Sequence, residues 1–260
     1  TVTATITVTS DSDDYTTGSG GITGTIGGFT LGSLSKTNNT TYTASFTVTS
    51  GGTDVASGSN IPVSFTLKDS AGNTSTSYTT AISQSADTID ANKPVLSSVV
   101  IASNNTSSSK AKVGDIITLT FTSNEALSTT PTVTISGQSA SVTNPSGNNY
   151  SAAYTMQNSN SEGSIVFTID FSDSAGNTGV QVTSVSDSSS VTFDKTAPTV
   201  TDGNISISGA SGTSGAYKVG DTITATWNNT AGGDNNSDIS SVTVDFSAFG
   251  GGSSVVASNS

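Results

Sequence analysis

Lys112-Val113-Gly114-Asp115-Ile116-Ile117-Thr118-Leu119-Thr120-Phe121-Thr122 reads as a turn running into a strand. After Gly-Asp, Ile117, Leu119 and Phe121 alternate with Thr, so an extended chain presents one apolar and one polar face. Lys-Val-Gly-Asp returns at Lys218-Val219-Gly220-Asp221, 106 residues later, and the run that follows places Ile223, Ala225 and Trp227 on one face. At the start of the chain Val2, Ala4, Ile6 and Val8 alternate with Thr in the same way.

Working outward, two further motifs repeat. Lys68-Asp69-Ser70-Ala71-Gly72-Asn73-Thr74 recurs 104 residues later as Ser172-Asp173-Ser174-Ala175-Gly176-Asn177-Thr178. Thr88-Ile89-Asp90-Ala91-Asn92-Lys93-Pro94-Val95 recurs at the same offset as Thr192-Phe193-Asp194-Lys195-Thr196-Ala197-Pro198-Thr199. Repeats in a constant order mean repeated structural units. The expected modules are 1–93 (without its first strand), 94–196 (complete) and 197–260 (without its last strands), a window on a longer array. In the complete module the alternation predicts strands near 97–103, 116–123, 131–136, 138–143, 149–156, 164–172 and 178–185. No segment has helical periodicity. The fold class expected is all-β, in antiparallel sandwiches of about seven strands per module.

Composition narrows the function classes. Among 260 residues there are 50 Ser and 46 Thr, with no Cys, His or Arg. The net charge is −12, carried by 17 Asp and only two Glu, Glu125 and Glu162. Such a surface repels nucleic acid, whose phosphates need cations, and it repels anionic membranes equally. No apolar run approaches the ~20 residues of a membrane span. Catalysis has few reagents: without His or Cys a nucleophilic Ser lacks its usual base, and no nucleophile-elbow motif is present. The chain is therefore expected to be no enzyme. Trp227 shares a face with Ile223 and Ala225, which predicts a core residue over a sugar-stacking platform.

Val-Gly-Asp before a strand, Ser123-Asn124-Glu125-Ala126-Leu127 after it, Asp-Ser-Ala-Gly-Asn-Thr late in the module and Asp-Lys-Thr-Ala-Pro-Thr as a linker resemble bacterial and archaeal immunoglobulin-like tandem repeats. Those repeats build adhesins, biofilm-associated proteins and surface-layer (S-layer) proteins. The resemblance implies immunoglobulin-like sandwiches, an extracellular, cell-surface setting and calcium between modules. This chain departs from the pattern where Asn228, Asn229 and Thr230 replace the Glu that follows the strand.

In such a sandwich the loop after the second strand and the loop before the last strand meet at one end. That brings Glu125 and Asp173 towards the linker residues Asp90 and Asn92, a set of hard oxygens suited to Ca²⁺. Asp194, with Asp234 or Asp238, is the corresponding set at the second junction. The competing reading makes Asp69 and Asp173 turn formers, with Gly72 and Gly176 supplying a positive φ. Asp115 and Asp221, at the other end, read as turn residues. Asp11, Asp13 and Asp14 fall in a Gly/Ser/Thr-rich loop and read as solvated or ion-binding. Nine Asn-x-Ser/Thr sequons permit glycosylation, as in a glycoprotein, at about the frequency chance provides.

These readings converge on a structural array of the cell surface, with neighbouring copies, other surface proteins or glycans as partners. An adhesin stalk with ligand-binding loops at 11–21 or 231–240, and an accessory sandwich of a secreted hydrolase, are the alternatives.

Overall fold

A computed structural model describes residues 1–9, 14–86 and 88–259. Among these residues the protein is all-β, with helical turns confined to three 3₁₀ segments, Asp202–Asn204, Thr213–Gly215 and Ser247–Phe249. No helix among the described residues is long and apolar enough to cross a membrane. The chain divides into two compact units, Thr1–Asp194 and Lys195–Ser260.

The first unit contains two hydrophobic cores. The earlier one is built on β1 (Val2–Thr7), β2 (Ile22–Ile26), β3 (Phe29–Thr30), β4 (Ser35–Lys36), β5 (Thr41–Phe46) and β6 (Val63–Leu67). Their order is β1-β5-β4 in one antiparallel sheet and β3-β2-β6 in the other. Ile6, Tyr42, Ala44 and Phe46 of the first sheet share a core with Ile22, Ile26, Val63 and Phe65 of the second.

The later core uses β7 (Leu96–Ser103), β8 (Lys110–Ala111), β9 (Ile116–Ser123), β10 (Thr132–Ile135), β11 (Gln138–Ser139), β12 (Ser141–Ser146), β13 (Asn149–Thr155), β14 (Gly163–Ser164), β15 (Phe167–Asp170) and β16 (Thr192–Phe193). One sheet has the order β12-β13-β9-β7 and a second β11-β10-β15. The alternation in β9 does what its sequence requires: Ile117, Leu119 and Phe121 are buried while Thr118, Thr120 and Thr122 are not. They meet Val133, Ile135, Phe167 and Ile169 from the second sheet in one sandwich-like core.

The repeats occupy equivalent places. Ile117, Leu119 and Phe121 stand opposite Tyr154, Ala152 and Tyr150; Val2, Ala4 and Ile6 stand opposite Phe46, Ala44 and Tyr42. Thus β1 is the counterpart of β9, and β5 of β13.

The structure corrects several expected strands. The span 178–185 forms only isolated bridges, Ser172 with Thr178 and Ile169 with Val182, and Val180 is exposed. Gly179 passes so close to Phe171 that a Cβ there would lie 2.2 Å from the ring. Part of the closing edge comes instead from residues that adjoin the expected linker. Val191 and Phe193 are buried, and β16 pairs antiparallel with β14 and parallel with β8. The expected 138–143 strand breaks at Ala140 into β11 and β12, and 164–172 shortens to the end of β14 and to β15.

The second unit, Lys195–Ser260, is assembled from β17 (Ile205–Ser208) paired antiparallel with β18 (Thr224–Trp227), and β19 (Thr243–Val244) paired with β20 (Val255–Val256). None of its described residues is fully buried. Trp227 is therefore half-buried and not the core residue its register implied. Its indole N–H donates to Asp234 Oδ2 at 2.6 Å.

Candidate metal centre

The Asp-Ser-Ala-Gly-Asn turn is built by its own first side chain. Asp173 Oδ1 accepts from the N–H of Ala175 (2.9 Å) and of Asn177 (2.8 Å), and Oδ2 accepts from the Asn177 amide at 2.8 Å. Gly176 takes φ +94°, a left-handed conformation that costs glycine little. Short carboxylates close such turns because their oxygens reach the backbone a few residues on. The turn-forming reading of Asp173 is thus present in the geometry.

Two further loops are tied to this turn. Leu127 bridges Asp173, and Ser128 N–H donates to Ser172 O at 2.9 Å, which draws in the Ser-Asn-Glu-Ala-Leu segment. Asn124 then fastens the linker, its side-chain oxygen accepting from Val95 N–H at 2.7 Å and its N–H donating to Val95 O at 3.0 Å. The Asn177 amide also donates to the carbonyls of Asn92 (3.0 Å) and Asp90 (3.4 Å). Linker and turn are consequently one hydrogen-bonded assembly.

Asp90, Glu125 and Asp173 meet there. One carboxylate oxygen from each lies within 4.8 Å of the others, and among the described residues no other group of three potential ligands does so. Asp173 is fully buried; Asp90 and Glu125 are half-buried. Burial, then the negative charges of Asp90, Asp173 and Asp54, push the Glu125 carboxyl above its usual range. Three carboxylates drawn from three segments supply oxygen donors of the kind a hard divalent cation of the Ca²⁺ type takes, three of its six to eight ligands.

Of the residues expected here, Asp90, Glu125 and Asp173 are brought together. Asn92 lies alongside, but its amide is turned to the preceding module, donating to both oxygens of Asp54 at 2.9 Å and to Gly52 O at 3.3 Å. Asp54 also accepts from Ala91 N–H at 2.8 Å, so it clamps the linker from the other side. Asp54 and Asn177 were not among the expected site residues. Asn177 carries a signal, since it closes a repeated motif; Asp54, in a Gly-Gly-Thr-Asp loop, carries almost none.

Asp194 lies outside the group of three, and its N–H donates to Ala111 O at 2.9 Å. In the second unit, Asp234 is saturated by donors: Thr201 N–H (3.0 Å), the Thr201 hydroxyl, Asn204 Nδ2 (2.7 Å) and the Trp227 indole. The Thr201 hydroxyl first, then Trp227, hold it far below the usual carboxylate range. Asp238 is part of no such group among the described residues. Asp115 closes the Lys-Val-Gly-Asp turn, accepting from Lys112 N–H at 2.8 Å and Asn105 Nδ2 at 2.7 Å; Asp221 repeats this with Lys218 N–H at 2.9 Å. Asp11 and Asp13 lie outside the described residues, and Asp14 pairs with Lys36 at 3.0 Å. No family model matches this sequence, and no curated protein matches it.

Proposed function

We propose that the chain is a non-catalytic structural segment of an extracellular, cell-surface array, of the S-layer or surface-filament kind. On this reading its modules are immunoglobulin-like, and Ca²⁺ stiffens the junction between the first two. One observation carries the proposal: Asp90 of the linker converges with Glu125 and Asp173 of the following module to within 4.8 Å. Three like charges on a half-buried junction repel one another, and that repulsion adds to burial in raising the Glu125 carboxyl. A bound divalent cation turns the same charges into a clamp joining linker and module. Extracellular calcium suffices for sites of ~10⁻⁴–10⁻³ M affinity. The turn's grip on Asp173 also supports a junction role, because two N–H donors fix Oδ1 while Oδ2 accepts only the Asn177 amide and keeps a lone pair for an ion.

The test is thermal unfolding of the whole chain, with calcium and with a chelator, alongside a scattering or relaxation measurement of the flexibility between the first two modules. Calcium is expected to raise the unfolding temperature and reduce that flexibility. Identical curves and identical flexibility in the chelator would refute the proposal.

A further inference from the structure

The linker between the first two modules has no slack. Its last bond to the first module and its first bond to the second fall on one residue, Asn92. The Asn92 amide donates backwards, to both carboxylate oxygens of Asp54 at 2.9 Å and to Gly52 O at 3.3 Å. Its carbonyl accepts forwards, from the Asn177 amide at 3.0 Å, and its N–H donates to Asp90 Oδ1 at 3.2 Å. A flexible tether needs residues free to sample many conformations. Only Lys93 and Pro94 separate Asn92 from Val95, whose N–H and C=O both bond Asn124. Pro94 is buried, has a fixed φ and narrows the conformations open to Lys93.

The first module is shaped to hold this residue. Ala91, 4% exposed, belongs to its core. The Ala91 N–H donates to Asp54 Oδ1 at 2.8 Å, and its carbonyl accepts from Gly51 N–H at 2.9 Å. Gly52 lies so close that a Cβ there would sit 2.5 Å from the Phe29 ring and 3.2 Å from Ala91 Cβ. The loop 51–54 is therefore packed on the linker as well as bonded to it. The second module repeats the placement of the acid. Val55 bridges Ile89, and Gly163 pairs with Phe193, the residue 104 places after Ile89. Asp54 and Glu162 each come immediately before, so two loops of unrelated sequence put a carboxylate at one position.

Modules joined by a loose tether unfold independently, whereas a shared interface adds a nearest-neighbour energy to both. Residues Thr1–Asp194 form one compact unit although they contain two cores. We infer that Asn92 is a relay: through Asp54 behind it and Asn177 ahead of it, it couples the stability of the first module to that of the second. Loss of structure in one module strips the relay of half its partners and loosens the other module's grip on the linker. A coupling of this kind acts equally in both directions. None of these bonds requires an ion, so the inference is independent of the calcium reading.

The test is run in a chelator on the whole chain, by amide hydrogen exchange in β5 for the first core and in β13 for the second. Leu119→Ala, which empties a fully buried position of the second core, is expected to speed exchange in β5, as well as in β13, by on the order of tenfold. Ile117→Val is a second, milder perturbation of the same core and should give a smaller effect in β5. In a chain carrying Asn92→Asp, which sets a carboxylate against Asp54, Leu119→Ala should no longer reach β5. Adding Asp54→Asn to that chain should restore the response. Exchange in β5 unmoved by both core variants would overturn the inference, since the modules would then be independent. A β5 response that survives Asn92→Asp, or one that Asp54→Asn does not restore, would overturn it too, because the coupling would run through other residues.

Discussion

The two Asp-Ser-Ala-Gly-Asn turns have one sequence and one internal geometry, yet different surroundings. In each, the aspartate N–H donates to the asparagine carbonyl, its Oδ1 accepts from the asparagine N–H, and its Oδ2 accepts from the asparagine amide. In each, glycine takes a positive φ, +97° at Gly72 and +94° at Gly176. Around the first turn, Asn73 is exposed and its amide serves Asp69 alone among the described residues. Around the second, the Asn177 amide also reaches two linker carbonyls, and Asp173 is fully buried beside Asp90 and Glu125. The motif by itself is a turn former. What turns it into a candidate cation site is a linker and a Glu-bearing loop arriving at the same end.

Substituting the two aspartates should separate these roles most widely. Asp173→Ala empties a fully buried carboxylate position, removes the acceptor of the Ala175 and Asn177 N–H groups and releases the linker, at an expected cost of about 2–4 kcal/mol. Asp69→Ala removes matching bonds at a solvated turn, so its cost should be clearly smaller. Denaturant unfolding of both variants measures the gap, and equal losses would mean that the junction adds nothing to the turn.

A smaller effect concerns the ion. At ~1 mM calcium and a dissociation constant of ~10⁻⁴ M, binding adds about 1.4 kcal/mol to stability. Glu125→Gln should abolish that increment while leaving the Asp69 turn unchanged. In a chelator the same substitution should stabilise the chain, because it removes one of the mutually repelling carboxylates.

The pH dependence should change sign with calcium. The Glu125 carboxyl is raised by burial and by Asp90, Asp173 and Asp54, so its charged form costs stability above the raised folded value. In a chelator, stability should increase as pH falls from that raised value towards the ordinary range, then stop increasing below it. With calcium bound, protonation displaces the ion, and stability should fall over the same range. The exposed turn behaves in the opposite sense to the chelated junction. Asp69 is held below its usual range, first by the Asn73 amide, so its contribution is present above the ordinary value and lost as pH falls through the lowered one. Melting temperatures across pH, with and without chelator, for the wild type and Asp69→Asn resolve both trends.

Much of this was legible in the sequence, and the reason is periodicity. Ile117, Leu119 and Phe121 announce β9 because a half-buried strand must alternate, and the same apolar/Thr alternation at Val2, Ala4 and Ile6 matches β1 to it. The closing strand misled because Val180, Val182 and Val185 suggest an apolar run, while the residues that close the edge, Val191 and Phe193, number only two and adjoin the linker. Trp227 misled differently: alternation reports which face a residue shares, not whether a second sheet covers that face. In the candidate site, Asp90, Glu125 and Asp173 could be named because each sits in a repeated or recognisable segment. Asp54 could not, since its approach to Asn92 depends on the path of a loop 38 residues away.

The most direct test of the account is calorimetric titration of calcium into the whole chain, in the wild type and in Glu125→Gln, Asp90→Asn and Asp69→Asn. The account predicts a saturable heat in the wild type that is retained in Asp69→Asn and lost in the two junction variants. No heat in the wild type, or one isotherm common to all four proteins, would contradict it.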